Sequence, residues 1–336
     1  MTANPTVVFT GPYQVVLEDR EVPTPGPGDL LIRTRATLIS TGTELTILEA
    51  KYPPDSQWSR YGKFPFVAGY DNVGEVVAVG EGVEEAWLGR RVATYGPHAR
   101  FVCLPAASAR MIRDEVPDEQ AAFFTIAEIV MNGVRRGRVT WGEAVVVNGL
   151  GLLGQLTVRF CRLAGARPVF AVDVASSRLA RLPQDKAIVP VNPREACVPE
   201  VVESLTRGRR ADVVFEVTGD PDLIPGQVAA LRRMGRFVIL SSPKGPSLFD
   251  FHDLCNSPSL SIIGAHNMSH PRCEEGDNPW TQLRHAELFF DLLAAGDLDL
   301  APLITHRASY TQAPDLYRML VEDRSQALGV VLDWRE

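Results

Sequence analysis

Hydrophobic and polar positions change rhythm twice along this chain. Between residues 6 and 110, short apolar runs at 15–17, 30–34, 73–79, 91–95 and 100–104 alternate with turn clusters. Those clusters are Pro23-Thr-Pro-Gly-Pro-Gly28, Gly80 with Gly82, and Gly89. Short runs bounded by glycine and proline read as strands, since those residues supply the tight backbone angles between them. They predict a compact all-β unit. After Pro117 the alternation stops, and Asp118-Glu-Gln-Ala-Ala opens a predicted helix in a segment reaching about Gly137. From Ala144, six apolar runs follow at 144–147, 169–172, 188–191, 213–217, 237–240 and 260–263. Helical stretches separate most of them, the pattern of a doubly wound parallel sheet. Past Gly264 the pattern breaks; residues 283–295 predict a helix ending at Gly296, and 328–332 a final strand. A closing segment foreign to the α/β unit implies a return to the first one. The expected division is therefore 1–125 with 266–336, around an inserted unit at 126–265.

Composition narrows the class. A chain of 336 residues holds roughly two domains. With 45% apolar and 22% charged residues it is an ordinary globular protein, so disorder and coiled coils are excluded. The 34 basic against 41 acidic side chains give −7, which offers no electrostatic reason to bind nucleic acid or an anionic membrane. Five scattered cysteines, with no C-x-x-C, argue against a disulfide framework and for a reducing cytoplasm. The N-terminus carries no secretory pattern, and no apolar run nears the ~20 residues a membrane span needs.

The chemistry begins at the first run of the α/β unit. Ala144-Val-Val-Val-Asn148 leads into Gly149-Leu-Gly151-Leu-Leu-Gly154, and Leu153, Leu156, Phe160 and Leu163 then fall on one helix face. Gly149 makes the tight turn, Gly151 lets backbone approach a pyrophosphate, and Gly154 lets the helix lie close to the strand. The first turn of that helix, with Leu152 and Leu153, offers N–H groups to phosphate. A second run ends at Asp173, 19 residues past Gly154, where a carboxylate meets both hydroxyls of an adenosine ribose and disfavours a 2′-phosphate. The expected cofactor is NAD. Arg178 either stacks on adenine or is a solvated helix arginine. Thr218, Ser241 and Ser242 end the fourth and fifth runs, where loops border the nicotinamide half of such a crevice.

Further motifs extend the pattern: Pro25-Gly-Pro-Gly28, Ser40-Thr-Gly-Thr-Glu44, Gly69-Tyr-Asp-Asn-Val-Gly74, Ala127-Glu128 with Val134-Arg-Arg136, and Pro302-Leu-Ile-Thr-His306. With these the chain resembles, over nearly its whole length, the medium-chain dehydrogenase/reductase superfamily, closest to its polyol and sugar branch. The resemblance implies a Rossmann unit inserted in a β-rich GroES-like catalytic unit, and a homodimer or homotetramer. Zinc-dependent members of that family carry a cysteine before a Gly-Thr-Asp and a His-Glu pair in a Gly-His-Glu-x-x-Gly turn. Here Thr41 precedes Gly42-Thr43-Glu44, and Tyr70-Asp71 stand between Gly69 and Gly74. Hydroxyl and phenol are poor zinc ligands beside thiolate and imidazole. The polyol-branch acid corresponds to Glu128. The structural zinc lobe needs four close cysteines, and only Cys103 lies between Arg90 and Pro117. Both metals are expected to be lost.

Without zinc, a side chain must polarise a carbonyl or take the alcohol proton. Tyr70 is the first candidate, since a phenol donates to a developing alkoxide. Glu128 and Asp71 are candidates for base or for orienting a polyol. Thr43 matches the family's relay hydroxyl, and Thr41 stands at the old thiolate position. His98 either faces the cleft or is a core histidine, and His266-Asn267 reach the nicotinamide end or form a polar hinge. Trp58, Tyr61 and Phe64 either cap a pocket or pack beneath their loop. The leading reading is a zinc-independent NAD-dependent oxidoreductase of a sugar, polyol or cyclitol, acting directly or by epimerising through a transient ketone. A zinc-free quinone or enoyl reductase and a non-catalytic NAD-binding protein remain as alternatives.

Overall fold

The computed structural model describes residues 3–335. In chain order its strands are β1 (Asn4–Gly11), β2 (Gln14–Arg20), β3 (Asp29–Leu38), β4 (Phe66–Val67), β5 (Asn72–Val79), β6 (Arg91–Thr94), β7 (Phe101–Pro105) and β8 (Arg110–Met111). There follow β9 (Val145–Asn148), β10 (Val169–Val172), β11 (Ile188–Val191), β12 (Ala211–Glu216), β13 (Leu231–Ile239) and β14 (Ser261–Gly264), then β15 (Ile304–Ser309) and β16 (Gly329–Asp333). The helices used below are α1 (Thr43–Glu49), α2 (Gln57–Tyr61), α3 (Asp118–Ala121), α4 (Phe124–Arg136) and α5 (Leu152–Leu163).

The chain divides into two compact units, Met1–Thr125 with Ala286–Glu336, and Ile126–His285. The crossing back falls after His285, later than the expected residue 265. The reason is local: side chains of α4 hold the segment that follows β14, with Asn132 donating to the carbonyl of His266 and Arg135 to the ring of His285.

In the first unit, strands join in the order β15-β16-β3-β5-β6-β8 with β7 also on β3, and a smaller sheet runs β2-β1-β4. β3 reads inside-outside along its early length, with Leu30, Ile32 and Thr34 turned inward. Its inward face joins Val76, Val92 and Val102 in one apolar cluster. A second cluster brings Val7 and Phe9 of β1, Leu45, Ile47 and Leu48 of α1, and Tyr317 of the helix Ala313–Glu322 together. Four strands among the described residues were not visible in the apolar pattern: β1, β15 and the two-residue β4 and β8. β1 is buried on both sides except at Thr10, so it lacks the polar alternation that marks a half-exposed strand.

The second unit is a six-stranded parallel sheet of order β11-β10-β9-β12-β13-β14. Its middle strands β9, β10 and β12 are buried on both faces, which is why they read as unbroken Val, Phe and Ala runs. The strand order reverses between β9 and β12. In open α/β sheets that reversal leaves a crevice at the carboxyl ends of the strands.

Candidate active site and cofactor cradle

In the first unit the candidate catalytic residues meet because β3 and β5 are antiparallel neighbours. The pairing of Thr37 with Asn72 places the residues just after β3 beside those just before β5. Ser40 and Thr43 thus sit opposite Tyr70. The Tyr70 phenol donates to Ser40 Oγ at 2.5 Å and lies 3.3 Å from Thr43 Oγ1. Burial, with the charge of Asp71 adding to it, holds that phenol well above its ordinary pKa. Tyr70 therefore keeps its proton at neutral pH, as a donor rather than a base. The backbone carbonyl of Tyr70 accepts from Thr125 Oγ1 at 3.1 Å, which fixes the turn. Thr41 is half-buried at the mouth of α1, and Asp71 is fully buried.

Beneath this hydroxyl group lies a residue the sequence motif contained but did not single out. Glu44, 1% exposed, accepts from the Ser40 amide at 2.9 Å through one oxygen. Its other oxygen meets His98 Nε2 at 3.1 Å and accepts from the Tyr317 phenol. A lone buried carboxylate costs several kcal/mol, and this donor set offsets that cost. His98 is fully buried and so serves the Glu44 carboxylate; it does not open onto solvent. Its ring rests against Gly69, where a Cβ would stand 2.5 Å from His98 N and where φ is +99°. That explains the glycine before Tyr70. Of the loop aromatics, Trp58 and Phe64 lie against the cluster around Phe9 and Tyr317, whereas Tyr61 is exposed.

The second unit carries the glycine fingerprint as strand, turn and helix. A Cβ on Gly154 would come 1.8 Å from the Gly149 carbonyl, so no side chain fits there, and at Gly149, with φ +93°, any other residue is strained. Gly151 caps α5 with no side-chain hydrogen bond and has open space around its Cβ position. Leu152 and Leu153 begin that helix, leaving its first amides available to an anion. Asp173 is 6% exposed and turned inward. Its carboxylate accepts from the Leu150 amide at 2.7 Å and the Ala175 amide at 2.8 Å, with Arg178 at 3.4 Å. The residue expected to read a ribose thus also braces the glycine turn. Glu128 lies on α4, fully buried.

Thr218 and Ser241 are joined by a residue the sequence reading missed, Glu216 at the end of β12. It is fully buried; one oxygen accepts from the amides of Thr218 at 2.7 Å and Gly219 at 3.0 Å and from the Thr218 hydroxyl. The other accepts from the Ser241 hydroxyl. Ser242 is exposed beside it.

After β14, the segment containing His266 and Asn267 is gripped by its carbonyls. Arg136 holds Gly264 at 2.8 Å and Asn132 holds His266 at 3.3 Å. Asn267 is held through a chain: its carbonyl lies 2.6 Å from His270 Nδ1, His270 Nε2 lies 3.0 Å from His285 Nδ1, and Arg135 Nε donates to His285 Nε2 at 3.0 Å. An arginine only donates and a carbonyl only accepts, so both imidazoles are neutral with Nδ1 protonated. Burial pushes His285 down to about 3, with His270 and Arg135 adding repulsion. Trp280 is stacked on His285, and the Arg135 guanidinium lies over its ring at 3.2 Å.

Comparison with known proteins gives concordant matches. The model of the alcohol dehydrogenase GroES-like domain matches residues 26–153, and that of the zinc-binding dehydrogenase matches residues 153–281. The L-threonine 3-dehydrogenase of Pyrococcus horikoshii is 27% identical, covering 91% of this chain and 92% of its own. The D-guloside 3-dehydrogenase of Escherichia coli K12 is 26% identical, covering 96% and 99%. A protein of E. coli CFT073, described as a short chain alcohol dehydrogenase and solved with NADH, superposes with TM-score 0.84. At 21% identity, over 99% of this chain and 100% of that one, it shows the shared fold.

Proposed function

Since this chain belongs to the medium-chain dehydrogenase/reductase superfamily and is an alcohol/polyol dehydrogenase-like oxidoreductase, we propose that it interconverts a secondary alcohol and ketone of a sugar, polyol or cyclitol-like substrate with NAD and without catalytic zinc. The observation that carries this reading is the Tyr70 phenol, kept protonated within hydrogen-bond reach of Ser40 and Thr43.

The donor set at the family's metal position does not suit zinc. Thr41 offers a hydroxyl, and a phenol held above its ordinary pKa resists the deprotonation a metal ligand requires. The cofactor residues do suit a dinucleotide. Gly149, Gly151 and Gly154 shape the turn, the first amides of α5 at Leu152 and Leu153 would receive a phosphate, and Asp173 with Arg178 would meet an adenosine ribose. Thr218, Ser241 and Ser242 border the nicotinamide half. When bound, nicotinamide accepts or returns the hydride.

The chain's own groups manage the proton. Tyr70 gives its proton to the oxygen of the ketone as it becomes an alkoxide, turning from Ser40 to do so. The Thr43 hydroxyl then lies next to the phenolate oxygen and favours it by hydrogen bonding. In the oxidative direction the same steps reverse. Within the first unit we assign Thr41 and Asp71 to a hydroxyl-rich substrate, and His98 acts from beneath, through Glu44 and Ser40. The guloside dehydrogenase relative supports a sugar-like substrate. The five free cysteines accord with a reducing cytoplasm, where we place a homodimer or homotetramer.

The test is an NAD-reduction screen over sugars, polyols, cyclitols and L-threonine, with metal analysis of the same preparation. Turnover of a hydroxyl-rich substrate by metal-free protein is expected. Activity that requires one bound zinc per chain, or turnover of L-threonine alone, overturns the proposal.

A further inference from the structure

Glu216 sits where the six-stranded sheet reverses its order. It pairs in register with Asn148, the residue before the fingerprint turn, and with Ile239, two residues before Ser241. The turn itself leans on the loop Glu216 holds: a Cβ on Gly149 would lie 3.1 Å from Thr218 Cα. One buried carboxylate thus ties together the ends of β12 and β13 beside the pyrophosphate-binding glycines.

The bonding fixes more than position. A carboxylate only accepts, so the hydroxyl hydrogens of Thr218 and Ser241 both point inward at Glu216. Thr218 is nonetheless an exposed residue. Its oxygen also accepts from the Asp220 amide at 3.1 Å, which leaves one lone pair. A ligand at these strand ends therefore meets the Thr218 and Ser241 hydroxyls as acceptors, not as donors.

We propose that Glu216 is a positioning residue for the cofactor, holding Thr218 and Ser241 so that their oxygens accept hydrogen bonds from the donor-bearing nicotinamide half, its ribose hydroxyls or carboxamide N–H. This rests on the dinucleotide reading above. It assigns Glu216 no contact with the cofactor; its effect passes through the polarity of its two neighbours.

The experiment is fluorescence titration of the full chain with NADH, and with AMP in competition, since AMP lacks the nicotinamide half. In Glu216→Gln the new amide must donate to one hydroxyl and turn that hydrogen outward. NADH binding is expected to weaken about tenfold while AMP stays within about twofold. Glu216→Asp keeps the charge and is expected to restore most of the loss. Should Glu216→Gln fail to fold, Ser241→Ala and Thr218→Val remove the acceptors directly, and each is expected to weaken NADH about threefold with AMP unchanged. Unchanged NADH affinity in these folded variants, or an equal loss for NADH and AMP, overturns the proposal. Wild-type protein that binds neither NADH nor NADPH overturns the dinucleotide reading itself, a result distinct from loss in the variants alone.

Discussion

The Tyr70 phenol gives its hydrogen to Ser40 Oγ at 2.5 Å, and Ser40 is itself held in place by Glu44 through its backbone amide. The donor proposed for the substrate is therefore parked on a neighbour. Tyr70→Phe keeps the ring and removes only the donor. It is expected to lower kcat about 100-fold or more in NAD-linked steady-state assays, with KM changed less than about threefold. A variant with full kcat removes Tyr70 from the chemistry.

Glu44 is satisfied by donors from distant parts of the chain. Tyr317→Phe withdraws one of them and leaves the buried carboxylate short of a partner. Urea unfolding of the first unit is expected to show a loss of about 1–3 kcal/mol. A neutral result would mean that another group takes over the phenol's place.

Gly69 is constrained twice, by its φ of +99° and by the His98 amide nitrogen 2.5 Å from where a Cβ would stand. Gly69→Ala should cost about 3 kcal/mol or more and displace Tyr70 next to it. Lower yield, a lower melting temperature and reduced activity are expected together.

Asp173 braces the glycine turn through the Leu150 amide as well as facing the proposed ribose position. Asp173→Ala should therefore weaken NADH more than tenfold and also lower the melting temperature. Wild-type protein is expected to bind NADH at least tenfold more tightly than NADPH, and equal affinities would discard the specificity assigned to Asp173.

His285 is pushed down to about 3, mainly by burial, whereas an unfolded histidine titrates near 6.5. Between those values the unfolded chain binds one proton more than the folded chain, so stability is full above about pH 6.5 and falls as the pH drops. The slope is at most about 1.4 kcal/mol per pH unit for this group. The melting temperature should fall from about pH 6.5 toward pH 5, and His285→Gln should flatten that fall.

The cofactor unit was legible in the sequence because its signals are local. Unbroken apolar runs mark the buried parallel strands, and three glycines within six residues mark the turn. The support beneath the candidate site was not legible, since its partners are far apart in sequence. Glu44 meets His98 across 54 positions and Tyr317 across 273. Glu216 and Ser241 stand 25 apart on neighbouring strands, so only the register of β12 with β13 reveals them. Thr218 and Ser241 were readable as strand-end hydroxyls, but the direction of their hydrogens depends on Glu216. The boundary after β14 moved for a similar reason, since Asn132 and Arg135 reach 134 and 150 positions ahead to hold the returning chain.

The run from Arg135 through His285 and His270 to the Asn267 carbonyl has a single sense: every hydrogen in it points toward the loop. Its head, Arg135, is lowered only to about 10 and stays charged at neutral pH. Such a run cannot conduct, because reversing any one hydrogen would require the arginine to become an acceptor. Without the guanidinium the His285 ring loses the partner that fixes its tautomer, and with it goes the fixed orientation of His270 and its grip on the Asn267 carbonyl.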